Sequence, residues 1–568
     1  MEAARAIAGR PHSDRVVSPA TVAETLQQRA ASQPDAPYLT YLADNGDIRS
    51  YTYAEFYRAA RRMAAMLQVF AGLQPGDRIA TAMHNHDQMI LIYFAAWHLG
   101  LSVVPLNMGE EDKRLSYILE HSGVKALFVL NEYAGRMRPL RLAASKIEHV
   151  FLVDSAGAVP DASGGEVRLE DVLPTVDVPQ FNAPENVQPD DEALIVYTSG
   201  TTGVPKGVAL SQYNLVADAY AITKWHGFNA QTKMLCVLPV HHVNGMEVTH
   251  VTPMFCGGSV VLARKFSATH FFAIAKKYEI QVGSMVPTLL QFLIDANPPE
   301  KGAGRMLAPK LKYLICGAGP LTVDLASRFE DRFGIPILHG YGLSESTCYS
   351  CFLPVDSCGA ENAEHRRWMR DFGYPSIGPA ICTNEMAIHD DNGCEVAEGA
   401  KGEIVIRGHN IMLGYNENPV ANTNAFTHGW FRSGDEGFYK LGADGRKYFF
   451  ISGRFKELII RGGVKISPLE VDEVLNRISG VKAAMAVGFE NAVYGEEVGA
   501  YVVKQPGCAL DEASVIAACR ATMPFSMSPK AVVFGETFPV TSTGKYQRNQ
   551  LKCLFVQWKD QQFREKGS

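Results

Sequence analysis

The feature that most constrains the fold of this chain is a repeated alternation between helix-length segments and short apolar runs. In the first part, helical patterns over residues 53–70 and 89–99 alternate with apolar runs at residues 103–105 and 126–130. This alternation is typical of layered α/β folds, in which helices cover parallel sheets. Since single hydrophobic cores stop growing near roughly 250–300 residues, a chain of 568 residues is expected to form at least two domains.

The character of the sequence then changes along the chain. After a polar stretch over residues 154–191, the alternation resumes with predicted strands at residues 193–197, 233–238, 259–262 and 311–316. Beyond about residue 385, Gly-rich turns and short strands, at residues 402–407 and 447–451, predict a smaller β-rich unit. An α+β tail follows, with a predicted helix at 468–477 and strands at 483–488 and 499–503. We therefore predict a large N-terminal domain over residues 1–452, a hinge at 453–456 and a small C-terminal domain over 457–568.

Charge and apolar patterning exclude several classes of protein. The formal net charge is −6 without a long run of Lys or Arg, so the electrostatic footprint of a nucleic-acid-binding protein is missing. No stretch reaches the ~18 consecutive apolar residues that a membrane span needs, and Met1 to Arg15 lacks the apolar segment of a signal peptide. These patterns predict a cytoplasmic globular protein, a monomer or a homodimer, without nucleic-acid partners or a membrane span.

The eleven cysteines predict reduced core thiols rather than disulfide bonds. They are scattered, odd in number and mostly embedded in apolar runs, as at Cys236 and Cys316. Cys348 and Cys351 form a Cys-x-x-Cys pair with Cys358 nearby, which leaves a metal or redox site open as an alternative. No second pair stands at zinc-ligand spacing, so core thiols are the favoured interpretation.

A loop rich in Ser, Thr and Gly follows the predicted strand at residues 193–197 and indicates phosphate binding. It contains Thr198, Ser199, Gly200, Thr201, Thr202, Gly203 and Lys206. Free backbone N–H groups, hydroxyls and one ammonium together make a cradle for phosphate oxygens. The loop is not a GxxxxGK[ST] motif, because Gly203 lies three residues before Lys206 and Pro205 intervenes. A solvated turn is the structural alternative.

This segment closely resembles the phosphate-binding signature of the adenylate-forming superfamily, which includes acyl-CoA synthetases, luciferases and adenylation domains of peptide synthetases. Further motifs similar to those of the superfamily occur in order between Thr21 and Lys552. The resemblance implies a large N-terminal domain of layered α/β sheets with a small β-rich subdomain, and a small mobile α+β C-terminal domain. It also implies ATP, Mg²⁺ and coenzyme A as cofactors.

Two motifs resemble the acyl-binding and adenine-binding elements of the superfamily. The first, at His241 and His242, resembles a motif between the acyl pocket and the ATP phosphates, with His242 as a catalytic candidate. The second, Gly317-Ala318-Gly319, resembles the turn that flanks adenine, where missing side chains let the purine approach the backbone. The resemblance implies a substrate pocket lined by His241, His242, Val243, Asn244, Gly317, Gly340, Gly342 and Leu343. Structural histidines and an ordinary strand-to-helix turn are the alternatives.

The remaining nucleotide residues are assigned by the same resemblance. Tyr341 is expected to stack on adenine, and Glu345 to ligate Mg²⁺, a hard cation that prefers oxygen ligands. Asp435 is similar to the ribose-binding aspartate, whose carboxylate can accept both sugar hydroxyls, and Arg454 is expected to join it. The residues of the motif that are expected to line the nucleotide beside these are Gly340, Gly342 and Ser344.

Three further motifs lie toward the C-terminus. Lys456 occupies the hinge position, about which the resemblance implies that the small domain rotates between half-reactions. Gly462 and Gly463 either let a pantetheine arm pass close to the backbone or form a hairpin turn, and both can hold at once. Lys545 matches the catalytic lysine, whose cation can offset charge developing on the α-phosphate and the carboxylate. Together with His242, Thr202 and Glu345, it makes up the predicted catalytic set.

These motifs predict an enzyme that activates a small carboxylic acid as its acyl-AMP, releases pyrophosphate and transfers the acyl group to coenzyme A. Loading of the phosphopantetheine of an acyl carrier protein is the main alternative, and a non-catalytic nucleotide-binding protein is a distant one. The short stretch after Lys545 holds no further core-forming segment, which favours free coenzyme A. Amino-acid-activating relatives carry an aspartate where this chain has His241 and His242, which favours a non-amino acid. Aryl, medium-chain and polycyclic acids all stay open.

One departure from the superfamily pattern is the stretch over residues 347–374. It is rich in Cys and then basic, and it is longer than expected between these motifs. A contact with coenzyme A phosphates or a carrier protein is one interpretation, and a solvated loop is the favoured one.

Overall fold

The computed structural model describes residues 1–142, 144–154, 164–176, 187–198, 204–296, 303–319, 321–355, 363–372, 375–540 and 546–564. Within these ranges, two large α/β sheets, a β-rich sheet and a small α+β unit follow one another. The predicted fold class is therefore confirmed. The predicted domain limits stay a prediction, although the last strand of the β-rich sheet runs through Arg454 and so includes the first half of the expected hinge.

The first large sheet is mainly parallel and carries the predicted adenine turn. Its strands are β1 (Pro37–Leu42), β2 (Ile48–Thr52), β10 (Lys233–Cys236), β11 (Ser259–Ala263), β12 (Val282–Met285), β13 (Tyr313–Cys316), β14 (Ile337–Tyr341) and β15 (Cys351–Phe352). Their order is β15-β14-β13-β12-β10-β11-β1-β2, with antiparallel pairs at the two ends. Because β13 and β14 are parallel neighbours, Gly317 and Tyr341 reach the same edge of the sheet, where α/β proteins bind ligands.

The second large sheet carries the Ser/Thr/Gly loop. Its strands are β3 (Arg78–Ala82), β4 (Ser102–Pro105), β5 (Ala126–Leu130), β6 (His149–Val153), β7 (Val167–Arg168), β8 (Glu192–Thr198), β9 (Lys206–Ser211) and β18 (Gly414–Tyr415). Their order is β18-β9-β8-β4-β3-β5-β6-β7. The antiparallel pair β8–β9 brings Thr198 opposite Lys206, at the two ends of the loop.

Two antiparallel units complete the strands. The β-rich sheet contains β16 (Asn384–His389), β17 (Gly402–Gly408), β19 (Phe431–Leu441) and β20 (Lys447–Arg454) in sequential order. The C-terminal sheet contains β21 (Ile459–Arg461), β22 (Val464–Ile466), β23 (Val481–Asn491), β24 (Gly495–Lys504) and β25 (Ala531–Gly535), in which β25 pairs with β24. The predicted hairpin around Gly462 and Gly463 is confirmed as the β21–β22 turn.

Helices cover both large sheets. The α-helices of the described ranges are α1 (Glu2–Arg5), α2 (Val22–Ser32), α3 (Tyr53–Ala65), α4 (Asp87–His98), α5 (Asp112–Ser122), α6 (Ala134–Arg141), α7 (Leu169–Val172), α8 (Gln212–His226), α9 (Thr252–Cys256), α10 (Phe271–Lys277), α11 (Pro287–Ala296), α12 (Ala303–Leu307), α13 (Val323–Phe333), α14 (Ala363–Phe372), α15 (Pro419–Ala425), α16 (Pro468–Asn476) and α17 (Glu512–Arg520). The segments Met66–Phe70 and Asn244–Val251 are π-helical, and Arg548–Trp558 forms 3₁₀ turns. In the part of the chain described here, no helix is both long enough and apolar enough to cross a membrane.

Local sequence explains where helices α8 and α13 begin and end. Helix α8 begins at Ser211, whose side chain accepts from the Asn214 amide in a capping box, and ends at the left-handed Gly227. Helix α13 begins at Thr322, which accepts from the Leu325 amide, and ends at Gly334 with φ +64°. Each helix therefore starts after a side-chain cap and ends at a glycine that its own sequence provides.

Polar contacts join the C-terminal unit to the larger part of the chain. The amide of Val323, at the start of α13, donates to Glu473 Oε1 of α16 at 2.6 Å. Lys482 pairs with Asp295 at 3.1 Å. Lys401 pairs with Glu470 at 2.7 Å. Because Glu473 is buried at this contact, its pKa is raised to about 7.

Candidate active site

The predicted ribose and adenine residues come together at one corner between two sheets. Tyr341, at the end of β14, donates its phenol to Asp435 Oδ2 at 2.7 Å. Asp435 Oδ1 lies 3.1 Å from Arg454 Nε, because the two residues stand opposite each other in the β19–β20 pair. Burial raises the pKa of Asp435, and the Arg454 cation acts in the opposite direction. This corner can offer a carboxylate to sugar hydroxyls, which is the role predicted for Asp435.

A second cluster joins the predicted phosphate lysine to the predicted magnesium ligand. Tyr415 donates its phenol to Glu345 Oε1 at 2.8 Å. The ammonium of Lys206 lies over the Tyr415 ring, 4.8 Å from its centroid. Strand pairing brings Tyr415 close to Lys206, because Tyr415 in β18 pairs with Val208 in β9, the strand that begins at Lys206. Lys206 and Glu345 are 139 residues apart in the chain and meet through one aromatic ring.

Tyr415 was not predicted as a site residue. It belongs to a two-residue strand, which is too short to produce an apolar period. Its importance comes from the pairing of β18 with β9, a long-range contact that no local pattern encodes. The sequence itself shows only one aromatic residue after Gly414, which does not indicate a site.

Close backbone approach explains the glycines of the two predicted adenine motifs. A Cβ at Gly317 would lie 2.5 Å from Tyr349 Oη, and one at Gly340 would lie 2.3 Å from Phe352 Cδ1. At Gly342, a Cβ would meet the Cys348 carbonyl oxygen at 1.9 Å. Ala318 has φ +61°, a left-handed conformation that is uncommon for a residue with a side chain. These positions are therefore fixed by packing in addition to any ligand.

The predicted acyl residues lie where strand β10 leads into the π-helical segment Asn244–Val251. Asn244 Nδ2 donates to Tyr349 Oη at 3.2 Å, and Ser284 Oγ donates to Asn244 Oδ1 at 2.6 Å. The rings of His241 and His242 are neighbours, with centroids 4.5 Å apart. Burial lowers the pKa of His241 to about 4, so this ring is neutral at pH 7. Tyr349, which sequence reasoning missed, connects Asn244 with the Gly317 turn.

The remaining predicted residues are placed as follows. Val243 and Leu343 are partly buried and pack against a hydrophobic core cluster that includes Tyr213 and Met246. Ser344 begins a short 3₁₀ turn that contains Glu345. Lys456 follows β20. Gly462 and Gly463 form the β21–β22 turn with φ +54° and +85°, which favours glycine at both positions. Ser199, Gly200, Thr201, Thr202, Gly203 and Lys545 lie outside the described residues.

The Cys-x-x-Cys pair is part of the core. Cys348 and Cys351 are free thiols and are buried, and burial raises the pKa of Cys351. Among the described residues, no group of three or more His, Cys, Asp or Glu is arranged to hold a metal ion. The basic residues Arg366 and Arg367 of the longer stretch belong to helix α14, and Cys358 lies outside the described ranges.

Comparisons with known proteins agree with this arrangement. The sequence profile of the AMP-binding enzymes matches residues 26–416, and that of the AMP-binding enzyme C-terminal domain matches residues 470–545. The chain belongs to the AMP-binding enzyme family.

Named relatives and solved structures cover almost the whole chain. A sulfoacetate–CoA ligase of Cupriavidus necator is 33% identical, with 94% of this chain and 97% of the relative covered. An oxalate–CoA ligase of Arabidopsis thaliana is also 33% identical, with 89% and 94% covered. ATP-bound MatB from Rhodopseudomonas palustris superimposes with a TM-score of 0.81 at 25% identity, with 94% of this chain and 99% of MatB covered.

Proposed function

We propose that this protein is an AMP-forming acid–thiol ligase, which uses ATP to convert a small carboxylic acid into its acyl-AMP and then transfers the acyl group to coenzyme A. The observation that carries the proposal is the convergence of Tyr341, Asp435 and Arg454 at one corner. A second cluster supports it, in which Lys206 and Glu345 both contact Tyr415. These residues come from distant parts of the chain, and each matches a nucleotide-binding role. The relatives named as CoA ligases support the same reaction.

The chemistry needs no protein nucleophile. An oxygen of the substrate carboxylate attacks the α-phosphate of ATP, pyrophosphate leaves, and the mixed anhydride is then cleaved by the thiol. The protein contributes positioning and charge neutralisation. We assign Asp435 to the ribose hydroxyls and Lys206 to the phosphates, and the family resemblance assigns Lys545, His242 and Thr202 to the catalytic set.

A hard cation such as Mg²⁺ fits the Glu345 carboxylate. Tyr415 donates to Oε1 of this carboxylate, and no described residue donates to Oε2, which leaves an oxygen for a hard cation. When bound, Mg²⁺ would neutralise phosphate charge. Glu345 would hold the ion, and Tyr415 would fix the orientation of Glu345.

The proposal also names the thiol that accepts the acyl group, coenzyme A rather than a carrier protein. The exposed Gly462–Gly463 turn can accommodate a pantetheine arm close to its backbone, and the named relatives act on coenzyme A. The carrier-protein alternative has no specific observation in its favour. We further propose that Lys456 is the pivot of the small domain and that the protein works in the cytoplasm.

A single-turnover experiment tests the proposal directly. Enzyme-bound acyl-AMP is mixed with coenzyme A or with a phosphopantetheinylated carrier protein, and AMP release is followed in time. We expect coenzyme A to discharge the adenylate. Discharge by the carrier alone would overturn the choice of acceptor, and failure to form AMP and pyrophosphate from ATP with any acid would overturn the enzyme class.

A further inference from the structure

Asn85 joins strand ends of the two large sheets through its side chain. The residue follows β3 of the second large sheet and is 4% exposed. Its Nδ2 donates to the carbonyl oxygen of Leu238, just after β10, at 3.0 Å, and to that of Ala263, the last residue of β11, at 3.1 Å. Its Oδ1 accepts from the Val240 amide at 2.8 Å. One buried side chain of the second sheet therefore holds three backbone groups of the first.

These three hydrogen bonds use both N–H donors and the carbonyl acceptor of the Asn85 amide. An aspartate of the same shape has no donor, and a serine is shorter and carries a single one. Val240 is buried, so its N–H would lose this acceptor at a position shielded from solvent. The set of contacts therefore requires an asparagine at this position.

The loop that carries Asn85 is itself held on both sides. His84 Nδ1 lies 3.0 Å from Glu132 Oε1. On the other side, His86 Nδ1 accepts from the Gln88 amide at 3.2 Å and so caps α4. A side chain supported in this way can hold its amide in one orientation, as a positioning group requires.

The contacts of Asn85 fix the start of the segment over residues 239–245, here called the acyl turn, which carries the two predicted acyl histidines. The amide of His242 donates to Pro239 O at 3.2 Å. A Cβ at Gly245 would lie 2.4 Å from the same oxygen, so the segment is folded closely on itself. Because Asn85 holds the residue directly before the histidine pair, its amide sets where that pair is placed.

Asn244 anchors the other end of the acyl turn. It accepts from Ser284 Oγ and donates to Tyr349 Oη. That phenol approaches the Gly317 turn, so this end is joined to the predicted adenine-binding element. With this end anchored, loss of the contacts of Asn85 would displace the histidine pair relative to that element. The proposed ribose corner is bonded through other residues and would keep its geometry.

We propose that Asn85 is a positioning residue for the carboxylic acid, which acts by fixing the acyl turn and with it His241 and His242. This inference rests on the proposed function and on the acyl role predicted for the two histidines. Asn85 acts through the backbone of Leu238 and Val240 rather than through the acid itself. Since small displacements of positioning groups cost much of the rate, its loss should weaken use of the acid and spare use of ATP.

The comparison of two KM values tests this role. ATP–pyrophosphate exchange by the full-length protein is measured with butanoate, octanoate, benzoate and para-hydroxybenzoate, and KM is determined for the most active acid and for ATP. Asn85→Asp keeps the shape but loses both donors, whereas the shorter Asn85→Ser leaves space in which a water can bond to the freed groups. We expect the KM for the acid to rise about tenfold or more in both variants, with the KM for ATP within about twofold of the parent. A KM does not depend on the fraction of protein that folds.

Asn476 provides a matched control in the C-terminal unit. Its Nδ2 donates to Asp472 O at 2.7 Å and to Ala484 O at 2.9 Å, and its Oδ1 accepts from the Ala484 amide at 2.9 Å. It therefore makes the same three kinds of backbone hydrogen bond as Asn85, away from the acyl turn. Asn476→Asp and Asn476→Ser should keep both KM values near those of the parent.

The possible outcomes separate this inference from the proposed function. An unchanged KM for the acid in both Asn85 variants, or an equal rise of both KM values, would overturn the inference alone. Failure of both Asn85 variants to fold, while the Asn476 variants fold, would make Asn85 a structural residue and overturn it as well. Absence of exchange by the parent protein with all of these acids would contradict the proposed function, and the inference with it.

Discussion

The phenol of Tyr341 donates a 2.7 Å hydrogen bond to Asp435, although 94 positions separate the two residues in the chain. Tyr341 ends a strand of the first large sheet, and Asp435 belongs to the β-rich sheet. The corner that we propose for the nucleotide is therefore assembled between two sheets, and neither sheet contains it alone. Substitutions at either residue should therefore raise the KM for ATP more than the KM for the acid or the thiol.

Asp435→Asn should raise the KM for ATP by about tenfold to a hundredfold, because the amide keeps the shape but removes the charge that faces Arg454. Steady-state kinetics at saturating acid and coenzyme A measure the change. Asp391→Asn, at an exposed aspartate, is the control and should behave like the parent. An unchanged KM for ATP in Asp435→Asn would exclude this residue from the ribose site.

Tyr415→Phe should lower kcat/KM for ATP by about threefold to tenfold, because it removes one hydrogen bond to Glu345 but leaves the ring beneath Lys206. Tyr415→Ala, which removes both contacts, should have the larger effect. Tyr278→Phe removes a phenol remote from the site and serves as the control. Equal activity of Tyr415→Ala and the parent would show that the link between Lys206 and Glu345 has no role.

Glu345→Gln should increase the Mg²⁺ concentration that half-maximal activity requires, because an amide lacks the charge that a hard cation prefers. Activity is titrated against Mg²⁺ at fixed ATP. Glu132→Gln, at a partly exposed glutamate that pairs with Arg264, is the control. A titration curve identical to that of the parent would remove Glu345 as a metal ligand.

Lys545→Ala should abolish formation of acyl-AMP and spare thioester formation from supplied acyl-AMP, if the lysine serves only the first half-reaction as we propose. We expect a loss of at least about a hundredfold in the first step, as for removal of one preorganised donor. Lys552→Ala, at a surface lysine that pairs with Glu496, is the control. Equal losses in both half-reactions would refute the assignment of Lys545.

Glu473→Gln should change how stability depends on pH. The pKa of Glu473 is raised to about 7 by burial, above the ~4.3 of an unfolded glutamate. The folded protein therefore binds more protons than the unfolded protein between these values, and its stability falls as pH rises through this window. The glutamine variant lacks this loss and can still accept from the Val323 amide.

The expected result for Glu473→Gln is a Tm difference from the parent that is larger at pH 8 than at pH 5, in favour of the variant. Thermal unfolding at the two pH values measures it. Glu490→Gln, at an exposed glutamate of the same C-terminal unit, should show the same difference at both pH values. A Tm difference for Glu473→Gln that does not grow with pH would contradict the raised pKa.

Sequence periodicity predicted the elements whose signals are local. Strands β5 and β11 and helix α16 were located to within a residue or two, because their apolar periods lie inside single segments. The glycines at 317, 340 and 342 were predicted from motifs, and the structure adds the neighbours that exclude a Cβ. The residues at the Tyr341–Asp435 corner were also predicted, since each belongs to a recognisable motif.

Residues whose roles arise from long-range register could not be predicted. Tyr415 reaches Lys206 only because β18 pairs with β9, and Tyr349 reaches Gly317 only through the packing of β15 beside β14. Such contacts belong to the assembled sheets and helices rather than to any stretch of sequence.

The contact between Val323 and Glu473 has a mechanical consequence. Helix α13 starts just after the Gly317–Gly319 turn, and its first amide is capped by a carboxylate from the C-terminal unit rather than by its own neighbours alone. Moving α16 away from α13 would leave the Val323 N–H without its acceptor and would expose the buried Glu473 carboxyl. Both groups would then need water as a hydrogen-bond partner, so water must enter as the two helices separate. If the C-terminal unit reorients as the family resemblance implies, its movement is therefore coupled to the entry of water beside the Gly317–Gly319 turn.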